Sequence, residues 1–345
     1  MTNAPDLLQI CPYDKAPFRD ICRSQSAAAR ELGWSAHTVF LHSPDRRAQF
    51  SPVEDDRYYM DGTEDPAGLH HLRQLRPQKL CVFHRYRSLR VARGAGLKAP
   101  SEVLLAHEFG LLNSSWRRLR LSLGERKVRL AGVSPAVAAE LKTPLVLPNA
   151  LDALEQDRHR VSRDVARAHL GVAGEDLVVG VIGRLHRKKN TLLALEGFGE
   201  FAKTFQGNAR LLFVGEGPSR PRLQERAEEL AIPASFSGFV ANATRYLRAF
   251  DLLLFPASNA EAFGMVALEA MLAEVPVVAS RAPGPGWVLG DGATYFEANE
   301  PSLVAKALAS AAATPVSNRE RALEHFSPRA LSHKLAELVL DQSAR

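Results

Sequence analysis

Short apolar runs alternate with amphipathic segments along almost the whole chain. In the first half, the apolar runs predict strands near Leu7–Cys11, Ala36–His42, Lys79–His84, Val103–Ala106 and Val128–Val133. The amphipathic segments predict helices near Asp20–Leu32, Pro66–Leu75, Ser114–Arg126 and Pro135–Leu141. Short apolar strands separated by helices indicate a parallel sheet that is covered by helices on both faces.

The second half repeats this alternation after a highly charged segment, Ala153 to Asp176. Strands are predicted near Leu177–Ile182, Arg210–Val214, Ser235–Phe239, Leu252–Phe255 and Val275–Ala279, and helices near Leu192–Phe205, Arg220–Leu230, Thr244–Phe250, Val266–Leu272 and Leu303–Ala313. A boundary falls near Pro148-Asn149-Ala150-Leu151-Asp152. We therefore expect two doubly wound α/β domains facing across a cleft, over 1–150 and 151–326. A C-terminal helix over 327–345 would pack back on the first domain.

Composition narrows the class of protein. The 345 residues are 46% hydrophobic and 24% charged, which is typical of a soluble globular chain. No apolar run approaches the ~18 residues that span a bilayer, and the first residues lack the pattern of a signal peptide. The three cysteines, Cys11, Cys22 and Cys81, form no CxxC pair and no disulfide framework. These features predict a cytoplasmic protein.

Positive charge is concentrated in the first half. Residues 1–150 contain 22 lysines and arginines against 15 acids, whereas residues 151–345 contain 22 against 23. The basic residues form two clusters, one with Arg85, Arg87, Arg90, Arg93 and Lys98 and one with Arg117, Arg118, Arg120, Arg126, Lys127 and Arg129. This asymmetry predicts contact with something anionic. No nucleic-acid recognition motif accompanies it, so nucleic acid is not expected as a partner.

The segment Glu261-Ala-Phe-Gly-Met-Val-Ala-Leu-Glu269 carries the strongest chemical signal. It follows an apolar strand and opens a helix, whose N-terminus offers unpaired N–H groups and a positive dipole end to a diphosphate. Gly264 allows close approach of the backbone. The two carboxylates are hydrogen-bond acceptors suited to sugar and ribose hydroxyls. The segment therefore predicts a nucleotide-sugar site, although each acid alone could be an ordinary residue of a helix N-terminus or surface.

Cations follow the first strand of the second domain. Gly183-Arg184-Leu-His-Arg-Lys-Lys189-Asn190 places a glycine turn, Arg184 and Lys189 at the carboxyl end of that strand, where both side chains could neutralise a diphosphate. No Walker A pattern is present, which argues against a kinase or ATPase. Gly215-Glu-Gly217 alone indicates a turn, and Gly238-Phe239 could present backbone groups to a base.

Together these motifs resemble the retaining glycosyltransferases of family four, which have the GT-B fold of two Rossmann-like domains. The resemblance rests on Gly183-Arg184 with Lys189, Gly215-Glu-Gly217, Gly238-Phe239-Val240, Glu261 to Glu269, Val133-Ser134-Pro135 and the Pro148–Asp152 junction. It is dense from about residue 130 to 310 and faint before that. It implies a metal-independent transferase that uses a UDP- or GDP-linked sugar, without another cofactor, and retains anomeric configuration.

The resemblance also implies roles for particular residues. Glu261 would bind donor-sugar hydroxyls, and Arg184 and Lys189 would stabilise the β-phosphate as the glycosidic bond breaks. His107 stands where the family often has a histidine near the donor sugar. The remaining donor-binding residues would be Gly183, Gly238, Phe239, Phe263, Gly264, Met265, Val266 and the ribose-binding Glu269. The alternative for His107 is a packed, hydrogen-bonded core histidine.

The sequence departs from the family in its first loop. Pro12 to Arg19 contains no glycine where many relatives have a Gly-Gly loop for the donor phosphates, and Lys15 or Arg19 would have to substitute with side-chain charge. Asn190 replaces a usual glycine, and asparagine tolerates similar backbone angles. No Asp-x-Asp motif lies in a suitable strand-end context.

The residues predicted to contact the acceptor or a membrane are the basic residues Arg85, Arg117, Arg118 and Arg120. One interpretation docks the helix that contains Trp116, Leu119 and Leu123 on its own sheet and leaves the arginines solvated. The other has this helix contact an anionic membrane surface, peripherally at its inner face, or a phosphorylated glycolipid. The latter favours transfer of a hexose-type sugar to a cell-envelope glycolipid such as a lipopolysaccharide core.

Two further functions stay open at this stage. The first is a GT-B sugar epimerase or phosphorylase, which an absorbance scan for pyridoxal phosphate would help to separate from a transferase. The second is a non-catalytic binding subunit, for which the missing glycine loop is the argument.

Overall fold

The computed structural model describes residues 4–43, 49–53, 56–123, 128–172, 174–297 and 300–340. The chain forms two compact units, the first within Met1–Asp152 and His325–Arg345 and the second within Ala153–Glu324. Each unit is a sheet flanked by helices, so the predicted doubly wound α/β class is confirmed. Among the described residues, no helix has the length and apolar character to cross a bilayer.

The first unit contains a seven-stranded sheet. Its strands are β1 Leu7–Cys11, β2 Ala36–Phe40, β3 Gln49–Val53, β4 Arg57–Tyr59, β5 Leu80–His84, β6 Ser101–Ala106 and β7 Arg129–Gly132. Their order is β3-β4-β2-β1-β5-β6-β7, and all neighbours are parallel except β3 and β4. Its helices are α1 Phe18–Glu31, α2 Pro66–Gln74, α3 Arg85–Gly94, α4 Ser115–Ser122 and α5 Pro135–Glu140, joined by the C-terminal α14 Pro328–Leu340.

The C-terminal helix α14 belongs to the first unit and packs against α1. It buries Leu331, Leu335 and Leu338. The carbonyl oxygen of Leu338 accepts hydrogen bonds from Ser101 Oγ at 3.3 Å and from the Arg129 guanidinium. These contacts join the end of the helix to the first residues of β6 and β7, so α14 completes the fold of this unit. Residues 341–345 of the predicted C-terminal segment lie outside the described residues.

The second unit contains a six-stranded, wholly parallel sheet. Its strands are β8 Leu177–Ile182, β9 Ala209–Val214, β10 Ala234–Gly238, β11 Leu252–Phe255, β12 Val277–Ser280 and β13 Thr294–Phe296, in the order β10-β9-β8-β11-β12-β13. Its α-helices are α6 Ala153–His159, α7 Arg163–His169, α8 Thr191–Thr204, α9 Arg220–Glu229, α10 Met265–Leu272, α11 Pro283–Leu289, α12 Pro301–Ala313 and α13 Arg319–His325. The core of the unit lies between the sheet and α8 and α12, where Phe198, Phe201 and Phe213 are fully buried.

Most elements predicted from periodicity are present, and two of the missed helices have identifiable causes. Helix α3 buries Ser88, Leu89, Val91 and Ala92, but its arginines obscure the apolar stripe. Helix α11 begins at Pro283 in a Pro-Gly-Pro-Gly segment that is typical of a turn, although proline is favoured in the first turn of a helix. The segment predicted as a helix near Thr244–Phe250 is a 3-10 helix, Ala243–Ala249.

The structure contradicts one of the two interpretations of α4, the one in which the helix docks on its own sheet. Helix α4 buries no residue, and Trp116, Leu119 and Leu123 are 72%, 46% and 71% exposed. An apolar stripe reveals which residues share a helix face, but not whether that face meets the sheet. Arg126, the last residue of the predicted helix, and Lys127, which belongs to the same basic cluster, lie outside the described residues.

Candidate functional site

The loops after β8 and β11 lie at the point where the strand order of the second sheet reverses. Strands β8 and β11 are parallel neighbours, β9 and β10 lie on one side of them, and β12 and β13 lie on the other. The connections therefore leave β8 and β11 in opposite directions, and a crevice opens between the two loops. Ligands of open α/β sheets bind in such a crevice.

The loop after β8 is held in place by its backbone. Gly183 has φ +132°, and its N–H donates to the Val214 carbonyl at 3.0 Å. The buried Leu185 N–H donates to the Glu216 carbonyl at 2.9 Å. Asn190, which stands in place of a usual glycine, adopts a left-handed conformation with φ 49° and ψ 35°. This geometry leaves the side chains of Arg184 and Lys189 exposed at the carboxyl end of β8.

Glu261 in the loop after β11 forms an ion pair with Lys189. The Lys189 ammonium donates to the Glu261 carboxylate, and the side chains are 45% and 19% exposed. The Glu261 N–H donates to the Ser258 carbonyl at 2.9 Å, which fixes the loop. The structure therefore brings together two predicted site residues that are 72 positions apart in the sequence.

The N-terminus of α10 directly follows this ion pair. Gly264 is the N-cap in a left-handed conformation with φ 96°. The Phe263 ring is buried and meets Trp287 edge-to-face at 6.2 Å between centroids. Met265 and Val266 form the first turn, where backbone N–H groups lack partners within the helix. Glu269 lies further along α10 and is partly exposed.

Close glycine contacts hold the neighbouring loops together. A Cβ on Gly215 would lie 1.9 Å from the Gly183 carbonyl oxygen, and one on Gly217 would lie 2.2 Å from that of Leu185. The Gly215 N–H donates to the carbonyl of Gly238, which has φ 73°. The interpretation of Gly215-Glu-Gly217 as a simple turn missed this packing of three strand ends.

Gly284 is a second position that the sequence did not reveal. A Cβ there would lie 2.5 Å from the carbonyl oxygens of Glu261 and Ala262. The N-terminus of α11 thus packs directly against the loop that carries the predicted carboxylate. The only sequence signal was the Pro283-Gly284-Pro285-Gly286 run, which gave no indication of its tertiary neighbour.

Strand β10 ends at Gly238 and is followed by Phe239, which is 79% exposed. The ring is not packed in the core, so its face is accessible to a planar ligand. The predicted donor-binding residues of the second unit thus lie on loops after β8, β10 and β11 and on the first turns of α10.

His107 lies in the first unit, directly after β6, and belongs to a buried polar chain. Its Nε2 is 3.0 Å from His84 Nδ1, and His84 Nε2 is 3.3 Å from Gln9 Oε1. Gln9 Nε2 donates to the Cys22 carbonyl at 3.0 Å, which fixes the orientation of the amide and leaves Oε1 as the acceptor. His84 therefore carries its proton on Nε2 and accepts from His107 Nε2–H through Nδ1.

Burial keeps both histidines neutral. It lowers the pKa of His84 to about 3 and that of His107 well below its ordinary value, with His84 and the Arg85 charge adding to the effect on His107. The hydrogen-bond chain assigns the single proton of His107 to Nε2, so Nδ1 presents a lone pair. Within the described part of the chain, His107 Nδ1 is buried without a hydrogen-bond partner.

A cleft of about 850 Å³ lies beside His107 in the first unit. Its lining includes the predicted acceptor-side residues Arg85, Arg117 and Arg120, together with Arg87 and Arg90. Arg118 is not part of the lining, and its Nη1 donates to the Leu112 carbonyl at 2.7 Å. Arg93, from the same sequence cluster as Arg85, pairs with Glu102 at 2.5 Å.

The loop without glycines after β1 has its own internal contacts. Arg19 pairs with the buried Asp14 at 2.6 Å and also donates to the Asp14 main-chain carbonyl. The Arg19 side chain is thus engaged within its own loop, whereas Lys15 is exposed. Over the described residues, no group of three or more His, Cys, Asp or Glu side chains could hold a metal ion.

The fold and these motifs agree with the family to which the chain belongs. The family model described as "Glycosyl transferases group 1" matches residues 162–340, which is just over half of the chain. The chain is therefore a member of the group 1 glycosyltransferases, and the resemblance drawn from its motifs is confirmed.

Individual relatives of the chain are glycosyltransferases by name. The chain is 34% identical to a lipopolysaccharide core biosynthesis glycosyltransferase, LpsD of Rhizobium meliloti, over 38% of this chain and 37% of the relative. It is 30% identical to a D-inositol 3-phosphate glycosyltransferase of Corynebacterium urealyticum, over 48% of this chain and 38% of the relative. These matches span less than two fifths of either relative.

A solved structure extends the comparison to both units. The structure of Anabaena Alr3699/HepE with UDP and glucose superposes with a TM-score of 0.74 at 19% identity, covering 99% of this chain and all of the other. This similarity establishes the two-domain, Rossmann-like GT-B fold.

Proposed function

We propose that the protein is a retaining glycosyltransferase that moves a hexose-type sugar from a nucleotide-sugar to a hydroxyl acceptor. The observation that carries this proposal is the Glu261–Lys189 ion pair at the strand-order reversal of the second sheet. The pair places a carboxylate, which can accept hydrogen bonds from sugar hydroxyls, next to cations and a helix N-terminus, which can bind phosphates. A sugar diphosphate requires both kinds of group.

Each part of the donor has matching groups in the second unit. The first-turn N–H groups of α10, beginning after Gly264, would bind the diphosphate and sugar. Arg184 and Lys189 would stabilise the leaving β-phosphate, and Glu261 would bind sugar hydroxyls. Glu269 would bind the ribose hydroxyls. Gly238 and the exposed Phe239 would contact the base of a UDP- or GDP-linked donor.

Retention of configuration is proposed from the resemblance of the motifs to family four. In that chemistry the leaving phosphate accepts the proton of the acceptor hydroxyl on the face that the acceptor attacks. The glycosidic bond breaks as the new bond forms, so the charge develops on the β-phosphate. Arg184 and Lys189 can stabilise that charge without a metal ion.

His107 would contact the donor sugar through its Nδ1 lone pair. A neutral histidine with Nε2 engaged by His84 can only accept at Nδ1, so it would receive a hydrogen bond from a sugar hydroxyl. The chain Gln9–His84–His107 would fix this orientation.

The proposed acceptor is a cell-envelope glycolipid such as a lipopolysaccharide core, with the enzyme cytoplasmic and peripheral at the inner face of the membrane. Support comes from the named role of LpsD, from the arginines Arg85, Arg117, Arg118 and Arg120, and from the exposed apolar residues of α4. An exposed Trp and two Leu beside arginines form an amphipathic surface suited to an anionic bilayer.

Thermal-shift binding tests the donor site. The full chain is heated with UDP, GDP, ADP or CMP, and the Glu269→Ala variant is the control. We expect one nucleotide to raise the melting temperature of the wild type but not of the variant, since a ligand of the folded state stabilises it by mass action. A sugar-transfer assay with the corresponding nucleotide-sugars and product stereochemistry would then test retention.

Absence of any shift at millimolar nucleotide would contradict the donor site and favour a non-catalytic binding subunit. An equal shift in the Glu269→Ala variant would instead show that the nucleotide binds elsewhere. The enzyme hypothesis further requires that Glu261→Ala abolish transfer, whereas a binding subunit would keep its cellular role.

A further inference from the structure

The cleft of the first unit contains more positive charge than its own acids neutralise. Five arginines line it, Arg85, Arg87, Arg90, Arg117 and Arg120, against the two acids Glu64 and Glu108. Arg85 pairs with Glu108 at 3.5 Å. No described carboxylate lies within ion-pair distance of the other four arginines. A concave surface of one sign concentrates counter-ions in its interior, so the cleft is electrostatically suited to an anion.

Helix α3, which carries three of the cleft arginines, begins with an unusual backbone conformation. Arg85 follows β5 directly and has φ 73°, a left-handed conformation that is uncommon for arginine. This residue turns the chain from β5 into α3 at the carboxyl edge of the sheet, where ligands of such sheets bind. Strained non-glycine residues at such positions cluster at ligand sites.

Several cleft arginines are held in place by neighbours other than carboxylates. The Arg85 guanidinium lies 5.0 Å from the Phe18 ring centroid, and that of Arg117 lies 5.7 Å from the Tyr86 centroid. Arg87 Nη1 is 3.3 Å from the Tyr13 hydroxyl. Among the described residues, Arg85 Nε is a buried donor without a partner. Guanidinium groups oriented in this way keep donors available for a bidentate anion.

The lining also contains groups that suit a sugar ring. Tyr86 and Trp116 provide aromatic surface, and Trp116 is 72% exposed. Glu64 can accept hydrogen bonds from hydroxyls, and so can a Glu108 oxygen beyond its contact with Arg85. A free inorganic anion would use only the arginines, whereas a sugar that carries an anionic group would use both sets.

We propose that this cleft binds the acceptor through a phosphate or carboxylate group carried on its sugar, held by Arg87, Arg90 and Arg117. That the bound molecule is the acceptor rests on the proposed transferase function. That the cleft binds an anionic sugar does not depend on it. Arg85 would orient the same group while it stays paired with Glu108, and Tyr86 and Trp116 would contact the sugar ring.

Calorimetric binding to the full chain tests this site. The probes are glucose 6-phosphate, glucuronate and the neutral methyl glucoside, at one fixed ionic strength. We expect both anionic sugars to saturate and to bind at least about tenfold more tightly than the neutral sugar. The double variant Arg87→Gln and Arg90→Gln should weaken the anionic sugars by about tenfold or more and leave the neutral sugar unchanged.

A second double variant separates a site from general electrostatics. Arg30 and Arg76 are exposed residues of the same unit that lie outside the cleft lining, so Arg30→Gln with Arg76→Gln removes the same charge elsewhere. It should bind the anionic sugars like the wild type. An equal loss in both double variants would overturn the proposal, as would equal binding of neutral and anionic sugars or no saturation by either anionic sugar.

Two further measurements distinguish this inference from its neighbours. Binding of the chain to anionic vesicles, without saturable binding of either soluble anionic sugar, would overturn the cleft site and assign the charge to the membrane. The thermal shift with UDP and GDP is recorded on the same Arg87→Gln, Arg90→Gln variant. A retained nucleotide shift with lost sugar binding supports the cleft, whereas saturable sugar binding without any nucleotide shift supports the cleft and contradicts the proposed donor site.

Discussion

The ion pair between Lys189 and Glu261 is a partly exposed contact whose contribution to stability is small. Such pairs contribute about 0–1 kcal/mol, because water screens the charges and two flexible side chains must be ordered. Its position matters more than its energy, since it joins the loops after β8 and β11 at the strand-order reversal. The pair also keeps the Glu261 carboxylate oriented before a ligand arrives.

Glu261→Gln should therefore separate activity from stability. The substitution keeps the size of the side chain but removes its charge and one acceptor oxygen. We expect the sugar-transfer rate to fall by about 10²-fold or more, while the free energy of unfolding changes by less than about 1 kcal/mol. Steady-state transfer kinetics and chemical denaturation measure the two effects.

The matched control is Glu229→Gln, which removes a carboxylate paired with Arg226 at 3.0 Å on the exposed surface of the same unit. It should leave transfer unchanged. A Glu261→Gln variant with wild-type kinetics would remove Glu261 from the proposed donor site, and an equal loss in both variants would point to a general effect of charge.

The sequence revealed some candidate site residues and hid others for a physical reason. Glu261, Glu269, Arg184 and Lys189 lie in contiguous motifs, so spacing and chemistry identified them as candidates. The partner of His107 could not be found in this way, because His84 is 23 residues away and meets it only through the pairing of β5 with β6. Gln9 in turn reaches His84 only through the pairing of β1 with β5. A hydrogen bond between neighbouring strands is a tertiary property that no local pattern encodes.

At the scale of elements, the close approach of α11 to the loop after β11 yields a prediction that only the structure could provide. Gly284→Ala places a Cβ 2.5 Å from two main-chain carbonyl oxygens, so the loop that carries Glu261 must move. We expect a loss of stability of about 1–3 kcal/mol and weaker nucleotide binding. Thermal-shift titration with the nucleotide that binds the wild type measures both effects.

Gly286→Ala is the matched control, because the same helix and the same substitution are used but nothing lies within 4 Å of the added Cβ. It should bind nucleotide like the wild type and have equal or slightly higher stability, since alanine favours a helix over glycine. Parallel behaviour of the two variants would show that close packing at Gly284 does not set the geometry of the loop.

Helix α4 provides a second prediction at this scale, on the proposed membrane contact. Trp116→Ser with Leu123→Ser removes two exposed apolar side chains, so folding stability should change little while binding to anionic vesicles weakens by about tenfold or more. Vesicle flotation at low and high salt measures it. Leu154→Ser, an equally exposed leucine of the second unit, should bind like the wild type.

Vesicle binding that is the same for neutral and anionic lipid, or that is unchanged in the α4 variant, would contradict a membrane role for this helix. The exposure of α4 decides between two interpretations that its periodicity had left open. The spacing of Trp116, Leu119 and Leu123 correctly identified residues that share one helix face. The sequence pattern does not show whether the sheet covers that face.

At the scale of the whole molecule, the alternation of strands and helices was sufficient to predict the α/β class in both halves. The order of the strands was not predictable in the same way, because an apolar run has the same sequence pattern whether it forms a central strand or an edge strand. The reversal between β8 and β11, on which the donor-site proposal depends, emerges only when the chain is assembled.

The first unit should also be the part of the molecule that is more sensitive to mild acid. Burial lowers the pKa of His37, His71, His84 and His107, all in this unit. Below the ordinary histidine value of about 6.5 the unfolded chain binds protons that the folded unit excludes, so stability is lost as the pH falls toward the folded pKa. Each such histidine contributes a slope of up to about 1.4 kcal/mol per pH unit.

Hydrogen exchange between pH 6.5 and 4.5 tests this expectation, because the exchange of deeply protected amides in β1 and β5 reports the opening of the first unit, and β8 and β11 report the second. The opening free energy at β1 and β5 should fall over this range. In the His84→Gln variant the opening free energy should fall less steeply with pH, because one histidine that binds a proton only in the unfolded state is missing. Glutamine still provides a polar side chain next to Gln9. An identical slope in the variant would show that His84 is not excluded from protonation in the folded unit, and the assignment of the His107 proton to Nε2 would then fail with it.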